Sequence, residues 1–439
     1  MPTVDDDLPS GLSPEEFSAW IFGAAEPFDD AGLELAPFRG VRFDPEVVGD
    51  LAAVTTPPYD LIDDEAVRRL RAGDVHSVVR LILPDPDPPG YTGASRALRS
   101  WLAEGALVTA RSPSLYVYEQ VGGGSVQRGL IGGVGLRPES AKVVLPHENV
   151  FAGPVRDRLA LMAATRANLE PIFLLYEGGA DAAQIIDSRA DGSPPISEVT
   201  AEDGYVHRLW RVGEPELHTR ISLELRGRQA LIADGHHRYA TYRALQARHH
   251  AAGDGPGPWD YGLALLVDSV RYPPRLGAIH RVLPTLAPET AVERARSVFR
   301  VSEVTGPLPD ALATLTDAPG PAFLLAGGSR MWLLTAPNAA VSGPHSERWR
   351  RLDTAVLDQL LIEDVWDLPE NERSVEVVHH DAAAAIRRAD RSGGTAVILN
   401  PLRVEDVLAV AADGERVPRK STSFGPKPRS GLVLRLLDT

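Results

Sequence analysis

Residues 231–240 read Leu-Ile-Ala-Asp-Gly-His-His-Arg-Tyr-Ala and join an apolar run to a polar run with helical composition. Residues 229–235 are typical of a strand that ends in a turn, and residues 236–250 are typical of the helix after it. Unsatisfied backbone N–H groups and the helix dipole make such a helix start favourable for an anion, typically phosphate. We therefore predict a phosphate-binding turn. Its candidate donors are Gly235, His236, His237 and Arg238.

Asp234 lies directly before this turn, and the sequence leaves three uses for its carboxylate open. It can cap the helix, bind a metal ion or act as a catalytic base. The structural alternative is a capped surface helix with exposed histidines. The segment is not a dinucleotide-binding fingerprint, because it lacks the G-x-G-x-x-G spacing.

A second polar segment begins at Lys142 and contains His147, Glu148 and Arg158. The His147-Glu148 pair can supply a general base, or nitrogen and oxygen ligands for a divalent ion. Lys142 and Arg158 add cations for an anionic ligand. The alternative is an ordinary charged helix at 155–167 with ion pairs at i,i+4 spacing.

Lysine is rare in this chain. Of the 45 Lys and Arg residues, only Lys142, Lys420 and Lys427 are lysine. In a chain that otherwise uses arginine, we expect lysine at positions where a compact ammonium is needed and a planar guanidinium does not fit. Two of them fall in residues 416–429, which hold five basic residues and no acidic one. Together with the hydroxyls of Ser421 and Thr422 they predict an anion site, and the alternative is a solvated tail. A P-loop is excluded because no G-x-x-x-x-G precedes Lys420.

The run Thr-Thr-Pro-Pro-Tyr-Asp at 55–60 is a further candidate segment. Its paired prolines restrict the backbone and predict a rigid loop. Such a loop can present the phenol of Tyr59 and the carboxylate of Asp60 to a site.

The composition excludes several classes of protein. The chain has 439 residues and no cysteine, so disulfide scaffolds, iron–sulfur clusters, cysteine-ligated zinc and thiol nucleophiles are excluded. The formal net charge of −15 disfavours general nucleic-acid binding. The sequence has no apolar run long enough for a membrane span, and its acidic start does not resemble a secretory signal. We expect a cytoplasmic protein that acts on a small molecule, with homodimer formation left open.

The order of the predicted elements indicates an α+β (mixed α/β) fold. We predict a peripheral segment at 1–35, an α+β core with the phosphate-binding turn at 36–280, and a C-terminal α/β domain at 281–439. The basic tail of that domain, residues 416–431, is expected to return to the site. Within the core, residues 77–84 (SVVRLILP) are predicted to form a strand because they are apolar and β-branched.

Four motifs occur along the chain in this order: PFRGVRF with TTPPYDLI, LPHENV with RDRLALMAATRANLEPIFLLY, IADGHHRYAT, and PRKSTSFGPKPRSGLV. Together they resemble the large bacterial and archaeal family known as domain of unknown function 1015, over nearly all of residues 36–436. The family name carries no reaction. The resemblance implies that the four segments belong to one site or one fold.

The Gly-His-His-Arg element at 235–238 is also similar to the strand–G-x-[HR]-R–helix element of ParB/sulfiredoxin-like proteins, which grips nucleotide phosphates. That group includes the free-serine kinases, whose Asp-Gly-His-x-Arg is very similar. Sulfiredoxin chemistry is excluded because it needs a cysteine at the place of His236. The acidic charge and the absence of a DNA-binding helix pair argue against a partition role. The resemblance implies a ParB/sulfiredoxin-like phosphate-binding core with additional mixed-sheet and helical segments.

The sequence therefore favours a small-molecule kinase that transfers a phosphoryl group to a hydroxyl compound such as free L-serine. The expected donor is ATP, ADP or another phosphoanhydride, with Mg²⁺ or another divalent ion. A non-catalytic nucleotide or phosphate-metabolite sensor and a phosphoester hydrolase are the alternatives. The candidate catalytic residues are Asp234, Glu148, His147 and His236, and the candidate metal ligands are Asp234 and Glu148. The candidate phosphate-binding residues are Gly235, His236, His237, Arg238, Lys142, Arg158, Lys420, Ser421, Thr422 and Lys427.

Overall fold

The structure is a computed structural model that describes residues 11–23, 32–85, 91–369 and 373–438. Its fold is mixed α/β, as the sequence predicts. The chain forms two compact units, of which the first holds Met1–Pro274 with Pro426–Thr439 and the second holds Arg275–Gly425. The end of the chain therefore belongs to the first unit. Of the predicted peripheral segment, residues 1–10 and 24–31 lie outside the described residues.

The helices vary from one short turn to several turns in length. They are α1 (Pro14–Gly23), α2 (Pro45–Val48), α3 (Leu51–Val54), α4 (Asp64–Gly73), α5 (Val79–Ile82), α6 (Thr92–Ala103), α7 (Ala152–Thr165), α8 (Ala180–Gly192), α9 (Pro215–Leu225), α10 (His236–Ala251), α11 (Pro288–Ala295), α12 (Leu308–Thr316), α13 (Glu347–Arg350), α14 (Asp353–Ala355), α15 (Ala382–Ser392) and α16 (Val404–Ala412). Short 3₁₀ turns lie at Tyr59–Leu61, Glu139–Ala141 and Pro258–Asp260, and Val356–Val365 is a π-helix. Within the described ranges, no helix combines the length and the apolar character needed to cross a bilayer.

The strands are likewise short to medium in length. They are β1 (Leu35–Ala36), β2 (Gly40–Phe43), β3 (Leu107–Thr109), β4 (Leu115–Gly122), β5 (Ser125–Gly135), β6 (Val144–Leu145), β7 (Ala167–Asn168), β8 (Ile172–Tyr176), β9 (Ser197–Thr200), β10 (Val206–Val212), β11 (Ala230–Asp234), β12 (Tyr261–Asp268), β13 (Arg275–Leu276), β14 (Ile279–Leu283), β15 (Arg300–Val304), β16 (Phe323–Gly327), β17 (Arg330–Thr335), β18 (Glu376–His379), β19 (Thr395–Leu399), β20 (Phe424–Gly425) and β21 (Leu434–Leu436).

The largest sheet of the first unit is mixed. Its strands follow the order β6-β11-β8-β12-β5-β4-β10-β9, and β1 pairs with β5. Strand β11 runs parallel to β6 and antiparallel to β8, whereas β12 runs parallel to β8. Every residue of β8 is buried, as expected for an apolar strand covered on both faces. Helix α10 packs against α7 and contacts β8 and β12, so the predicted turn at Gly235 lies at the junction of this sheet and its helices.

A smaller sheet of the same unit follows the order β3-β2-β21-β7. Strand β21 pairs with β2 from the beginning of the chain and with β7 from its middle. Its residue Leu434 is buried in a hydrophobic core with Val41, Phe43 and Trp101. This pairing holds the end of the chain within the first unit and fixes the position of the residues before β21.

The predicted strand at 77–84 is wrong, because Val79–Ile82 forms the short helix α5. Val78, Val79, Leu81 and Ile82 are all fully buried. A short apolar run that is buried on every side has no polar face to reveal its period, so composition alone does not distinguish a strand from a helix.

The second unit is built on a sheet with the order β15-β17-β16-β19-β14-β18 and a separate two-stranded ladder of β13 and β20. Helix α15 packs on this sheet through Ala382, Ala385 and Ala389, which are buried and lie on one helical face. Alanine at these positions lets the helix backbone approach Leu324 and Ile398 of the sheet closely.

Candidate functional site

The predicted strand–turn–helix is present. Strand β11 ends at Asp234, Gly235 has a positive φ of 95°, and α10 begins at His236. A β-bulge at Ala233 shifts the register just before the strand ends, so Asp234 pairs with Phe173 of β8. Bulges commonly redirect a side chain beside a functional site. Here the bulge lies immediately before the carboxylate that organises the site.

Gly235 is required by both backbone conformation and space. Its φ lies in the left-handed region, which side chains other than glycine rarely adopt. A Cβ atom at this position would lie 2.9 Å from Cγ2 of Ile172 and 3.2 Å from Nε of Arg238. The guanidinium of Arg238 therefore lies directly against the glycine backbone at the start of the helix.

Four charged side chains form an alternating chain of contacts, which we call the ion-pair cluster: Asp60, Lys427, Asp234 and Arg238. The Lys427 ammonium lies 2.5 Å from Oδ2 of Asp60 and 2.5 Å from Oδ1 of Asp234. The second oxygen of Asp234 accepts a 2.5 Å hydrogen bond from Nη2 of Arg238. Asp234 thus uses both oxygens for cations, and helix α10 has no side-chain cap, so the use of Asp234 as a helix cap is wrong.

Burial and charge act in opposite directions on the pKa values in this cluster. Burial raises the pKa of Asp234, but Lys427 and Arg238 outweigh that effect and lower it overall. Burial lowers the pKa of Lys427, but Asp234 and Asp60 outweigh that and raise it above its usual value. Asp234, Lys427 and Arg238 are therefore charged near neutral pH, and the side chains of Lys427 and Asp234 are only 15% and 12% exposed.

Arg238 has hydrogen-bonding capacity that its partners do not use. Its Nη1 donates to the carbonyl of Pro171 at 2.6 Å, and its Nη2 donates to Asp234. Its Nε is buried, and among the described residues no acceptor reaches it. Nε and Nη2 form one edge of the guanidinium, and phosphate and carboxylate groups bind such an edge through two parallel hydrogen bonds. On this edge Nη2 donates to Asp234, whereas Nε has no acceptor among the described residues.

Tyr59 and Glu170 pack beside Arg238. The ring centroid of Tyr59 lies 5.7 Å from Cζ of Arg238 and 5.0 Å from Cζ of Arg158, so two guanidinium groups face one phenol. Oε1 of Glu170 accepts hydrogen bonds from the backbone N–H of Tyr59 at 3.1 Å and from the hydroxyl of Ser430 at 2.6 Å. Burial raises the pKa of Glu170, although Arg238 opposes the shift. The loop at 57–60 is thereby tied to the same site.

Residues 426–430, which we call the C-terminal strap, carry Lys427 into the cluster. The carbonyl of Pro426 accepts a 3.1 Å hydrogen bond from the Gln120 amide. The backbone N–H of Arg429 donates to the hydroxyl of Tyr118, which in turn contacts Nδ1 of His207 at 2.9 Å. These contacts on both sides of Lys427 fix the strap backbone and leave the long lysine side chain as its adjustable part.

Further contacts tie the end of the strap to residues 52–56. The guanidinium of Arg429 donates to the hydroxyl and the carbonyl of Thr55, both at 2.7 Å, and to the carbonyl of Ala52. The backbones of Ser430 and Thr56 exchange hydrogen bonds at 2.8 and 3.1 Å. The Thr-Thr-Pro-Pro motif and the C-terminal strap, which is part of the basic tail, are therefore neighbours in the first unit.

The three histidines predicted at the site pack around the start of α10. The imidazole Nε2 of His236 accepts the backbone N–H of His147 at 3.2 Å, and Nε2 of His237 accepts the backbone N–H of Phe151 at 3.1 Å. The rings of His147 and His236 meet edge to face with centroids 4.5 Å apart. His236 and His147 are 5% and 0% exposed, so the imidazoles hold the 147–151 loop against the helix. Oε1 of Glu148, which is half-buried, lies 3.9 Å from Nε2 of His147.

Of the remaining predicted residues, Arg158 lies beside the cluster, since its guanidinium contacts the Tyr59 ring. It also pairs with Asp157 and donates to the carbonyl of Ile82. Lys142 is exposed at the end of a 3₁₀ turn, and its carbonyl accepts a hydrogen bond from Gln229. Residues 420–422 belong to the second unit, where Lys420 is exposed and Ser421 is buried.

Glu170 and Ser430 are site residues that sequence reasoning missed. Asp60 is predicted as a residue that a rigid loop presents to a site, because paired prolines precede it, but its pairing with Lys427 is not predicted. Glu170 precedes Pro171 at the start of a buried strand, where a carboxyl in an otherwise apolar context is unusual. Ser430 has no such signal, because serine near the end of a chain is common and its role depends on a long-range contact.

Among the described residues, no group of three or more His, Asp or Glu side chains is arranged to hold a metal ion. Asp60 and Asp234 nevertheless present two hard oxygen ligands to one point, which the Lys427 ammonium occupies. Two carboxylates match the protein contribution that Mg²⁺ commonly accepts when phosphate oxygens and water complete its shell.

Comparison with known proteins gives one family and several solved structures. The sequence profile of the family described as "Protein of unknown function (DUF1015)" matches residues 35–355. No curated protein has a significant sequence match to this chain.

Similar solved structures include a mutant free serine kinase in complex with AMP, at 15% identity and a TM-score of 0.33, covering 64% of this chain and 83% of that chain. SbnI with a C-terminal truncation, from Staphylococcus aureus, is similar at 13% identity and a TM-score of 0.35, covering 67% of this chain and 84% of that chain. A conserved hypothetical protein from Pyrococcus furiosus is similar at 15% identity and a TM-score of 0.33, covering 67% of this chain and 93% of that chain.

Proposed function

This chain belongs to the DUF1015 family of proteins of unknown function, and we propose that it is a small-molecule kinase whose ion-pair cluster binds the phosphates of the donor. The donor is a nucleotide or another phosphoanhydride, and the acceptor is a hydroxyl compound such as free L-serine. The proposal keeps the substrate class that the sequence predicts and centres the site on Asp234, Arg238 and Lys427.

The observation that supports phosphate binding most strongly is the convergence of two cations at the start of α10. Lys427 comes from the strap and Arg238 from the first turn of the helix, and both contact Asp234. The residue between Asp234 and the helix is Gly235, and its missing side chain lets the Arg238 guanidinium lie directly against the turn at the start of α10. The buried Nε of Arg238, which no acceptor among the described residues reaches, adds a directed hydrogen bond that phosphate can accept.

The chemistry needs charge neutralisation and one proton acceptor. The acceptor hydroxyl oxygen forms a bond to the terminal phosphorus, the bond from that phosphorus to the bridging oxygen breaks, and the hydroxyl proton passes to a carboxylate. Because Lys427 and Arg238 lower the pKa of Asp234, this carboxylate is a weak base and is better suited to holding a cation. We assign the proton to Glu148, which is half-buried and lies beside His147.

A divalent ion such as Mg²⁺ fits the carboxylates present. Asp60 and Asp234 would hold it, and it would supply neutralisation of the charge on the donor phosphates. Lys427 and Arg238 bind and orient the same phosphates, and the Glu170 contacts to Tyr59 and Ser430 keep the loop and the strap in place.

A non-catalytic phosphate sensor is the second candidate, and one observation favours it. The lowered pKa of Asp234 and its two cationic partners make this residue a binding group rather than a base. A sensor needs the same cations and no proton acceptor. Only a measurement of turnover separates the two functions.

The test incubates the protein with ATP, ADP or pyrophosphate, Mg²⁺ and a pool of amino acids and polyols, and follows the mixture by ³¹P NMR. A new phosphate-ester resonance that requires the protein and the acceptor pool supports a kinase. Broadened donor resonances without a new product support a sensor, and release of inorganic phosphate without an ester supports a hydrolase. If no donor resonance broadens or changes, all three phosphate-binding functions are wrong.

A further inference from the structure

We propose that the ion-pair cluster binds phosphate only together with a divalent cation, as a metal–phosphate pair that exchanges partners with the resident ion pairs. The metal takes the carboxylates of Asp60 and Asp234, and the phosphate takes Lys427 and Arg238. This inference rests on the proposed function and specifies its ligand as a metal-chelated phosphoanhydride.

The charges of the ion-pair cluster balance one another. Asp60, Lys427, Asp234 and Arg238 alternate in sign, and each contact in the chain is 2.5 Å long. Two negative and two positive groups leave no net charge to attract a free phosphate anion. The side chain of Arg238 is 6% exposed, so solvent screens these charges poorly. A free phosphate that reached the two cations would face two uncompensated carboxylates.

A metal–phosphate pair removes this conflict between charges. Its positive metal replaces the cations beside the carboxylates, and its negative oxygens replace the carboxylates beside the cations. Every group then keeps an opposite charge, so the exchange leaves no buried charge unpaired. The Nε of Arg238, which has no acceptor among the described residues, gains one in the exchange. The edge formed by Nε and Nη2 can then bind phosphate through two hydrogen bonds.

Without phosphate, the ion-pair cluster offers a divalent ion few ligands. Within the part of the chain that the structure describes, no set of three His, Asp or Glu side chains is positioned to hold a metal ion. Two carboxylates are too few to hold Mg²⁺ tightly while Lys427 competes for the same oxygens. Phosphate oxygens must therefore complete the shell, and the metal and the phosphate are expected to bind cooperatively.

The flexible member of the cluster is Lys427. Its backbone neighbours are fixed by the contacts of Pro426 and Arg429, and its four-carbon side chain allows the ammonium to leave the carboxylates without moving the strap. Asp60 is the most accessible member, with a side chain that is 34% exposed. A substitution at Asp60 therefore tests the exchange with less risk to the fold than one at the buried positions.

The experiment is isothermal titration calorimetry on the full chain with three titrants, namely MgCl₂, pyrophosphate, and pyrophosphate with excess MgCl₂; ADP replaces pyrophosphate in a parallel series. For the parent protein we expect no measurable binding of MgCl₂ alone and at least about tenfold tighter binding of the phosphate compound with the metal than without it. In Asp60→Asn, which loses one metal ligand and one partner of Lys427, we expect tighter binding of metal-free pyrophosphate and a smaller effect of Mg²⁺. Asp181→Asn is the matched control, since Asp181 pairs with Arg220 at 3.0 Å on the exposed surface of α8.

The outcomes distinguish a failure of metal–phosphate exchange from a failure of the proposed function. Equal affinity of the parent protein with and without Mg²⁺ overturns metal–phosphate exchange and leaves phosphate binding intact. Tight binding of MgCl₂ alone also overturns it, because the metal would then need no phosphate. If neither pyrophosphate nor ADP binds under any condition while circular dichroism shows a folded chain, the proposed function fails as well. An Asp60→Asn variant that keeps the full effect of Mg²⁺ overturns the assignment of Asp60 as a metal ligand.

Discussion

The ammonium of Lys427 lies 2.5 Å from Oδ1 of Asp234, which joins the C-terminal strap to the turn before α10. Both groups are largely buried, and each has a second partner of opposite charge, Asp60 for Lys427 and Arg238 for Asp234. Burying charges costs free energy unless the pairing is good, so a chain of four charges in this position is weak evidence for stability. The proposed function explains it instead, as a site whose charges bind the donor phosphates and a divalent ion.

The first prediction concerns Arg238. Arg238→Lys keeps the positive charge but loses the guanidinium edge, so the affinity for pyrophosphate with Mg²⁺ should fall at least about tenfold. The matched control is Arg330→Lys, which alters an exposed pair with Glu303 at 2.9 Å and should leave the affinity unchanged. Calorimetric titration checks both variants. Parent-like affinity of Arg238→Lys would show that the arginine contributes only charge.

The second prediction concerns Gly235. Gly235→Ala and Gly253→Ala both place a side chain at positive φ, at opposite ends of α10, but only Gly235 has atoms within 4 Å of the added Cβ. Gly253→Ala should reduce the free energy of unfolding by about 1 kcal/mol from backbone strain. Gly235→Ala adds crowding against Ile172 and Arg238, so its loss should reach about 2–4 kcal/mol. Denaturant unfolding measures both, and equal losses would contradict the close packing at Gly235.

The third prediction concerns pH and His207. Burial lowers the pKa of His207 to about 4, and the neutral ring contacts Tyr118, which links it to the strap. The unfolded chain binds this proton at a pH near 6.5, so the stabilising contribution is complete above about pH 6.5 and is lost as the pH falls toward 4. The loss should be on the order of 3 kcal/mol.

His207→Asn removes the titrating group and should flatten the dependence of unfolding free energy on pH over this range. His218→Asn serves as the control for removal of a half-buried histidine in the same unit. Denaturant unfolding at pH 7, 5.5 and 4.5 gives the three profiles. Profiles of equal slope for His207→Asn and the parent protein would place the pH sensitivity elsewhere.

The fourth prediction concerns Asp234. Because its pKa is lowered in the folded chain, the carboxylate stabilises the fold above the unfolded pKa of about 4, and this contribution is lost as the pH falls through the folded pKa. Asp234→Asn should therefore be less stable than the parent protein at pH 7, by about 2–3 kcal/mol, and the gap should narrow in acid. Asp181→Asn, at an exposed pair, should change stability by less than about 1 kcal/mol. If the difference in stability between Asp234→Asn and the parent protein is constant with pH, the charge of Asp234 is not the cause of that difference.

The sequence predicts local structure around Asp234 well. The strand that ends at Asp234 and the helix that begins at His236 follow from an apolar run, a glycine and a polar helical run, all of them neighbours in the chain. The mixed α/β fold follows from the order of such segments. The strand predicted at 77–84 is wrong because its apolar residues are buried on all sides and conceal their period.

The composition of the site depends on contacts that the sequence does not encode locally. The rarity of lysine draws attention to Lys427, but its partners Asp60 and Asp234 are distant in the chain. Glu170 receives hydrogen bonds from Tyr59 and Ser430, and its raised pKa results from burial that only the folded chain provides. His236 and His237 are the opposite case: histidine suggests catalysis or ligand binding, whereas their Nε2 atoms accept hydrogen bonds from the backbone of the 147–151 loop.

The most direct test of the central claim is a crystal structure of the chain with pyrophosphate and Mg²⁺. We predict phosphate oxygens within about 2.7–3.2 Å of Nζ of Lys427 and of Nε of Arg238. We also predict metal density at about 2.0–2.1 Å from carboxylate oxygens of Asp60 and Asp234. A structure in which pyrophosphate binds elsewhere, while Lys427 still bridges Asp60 and Asp234, would contradict the account.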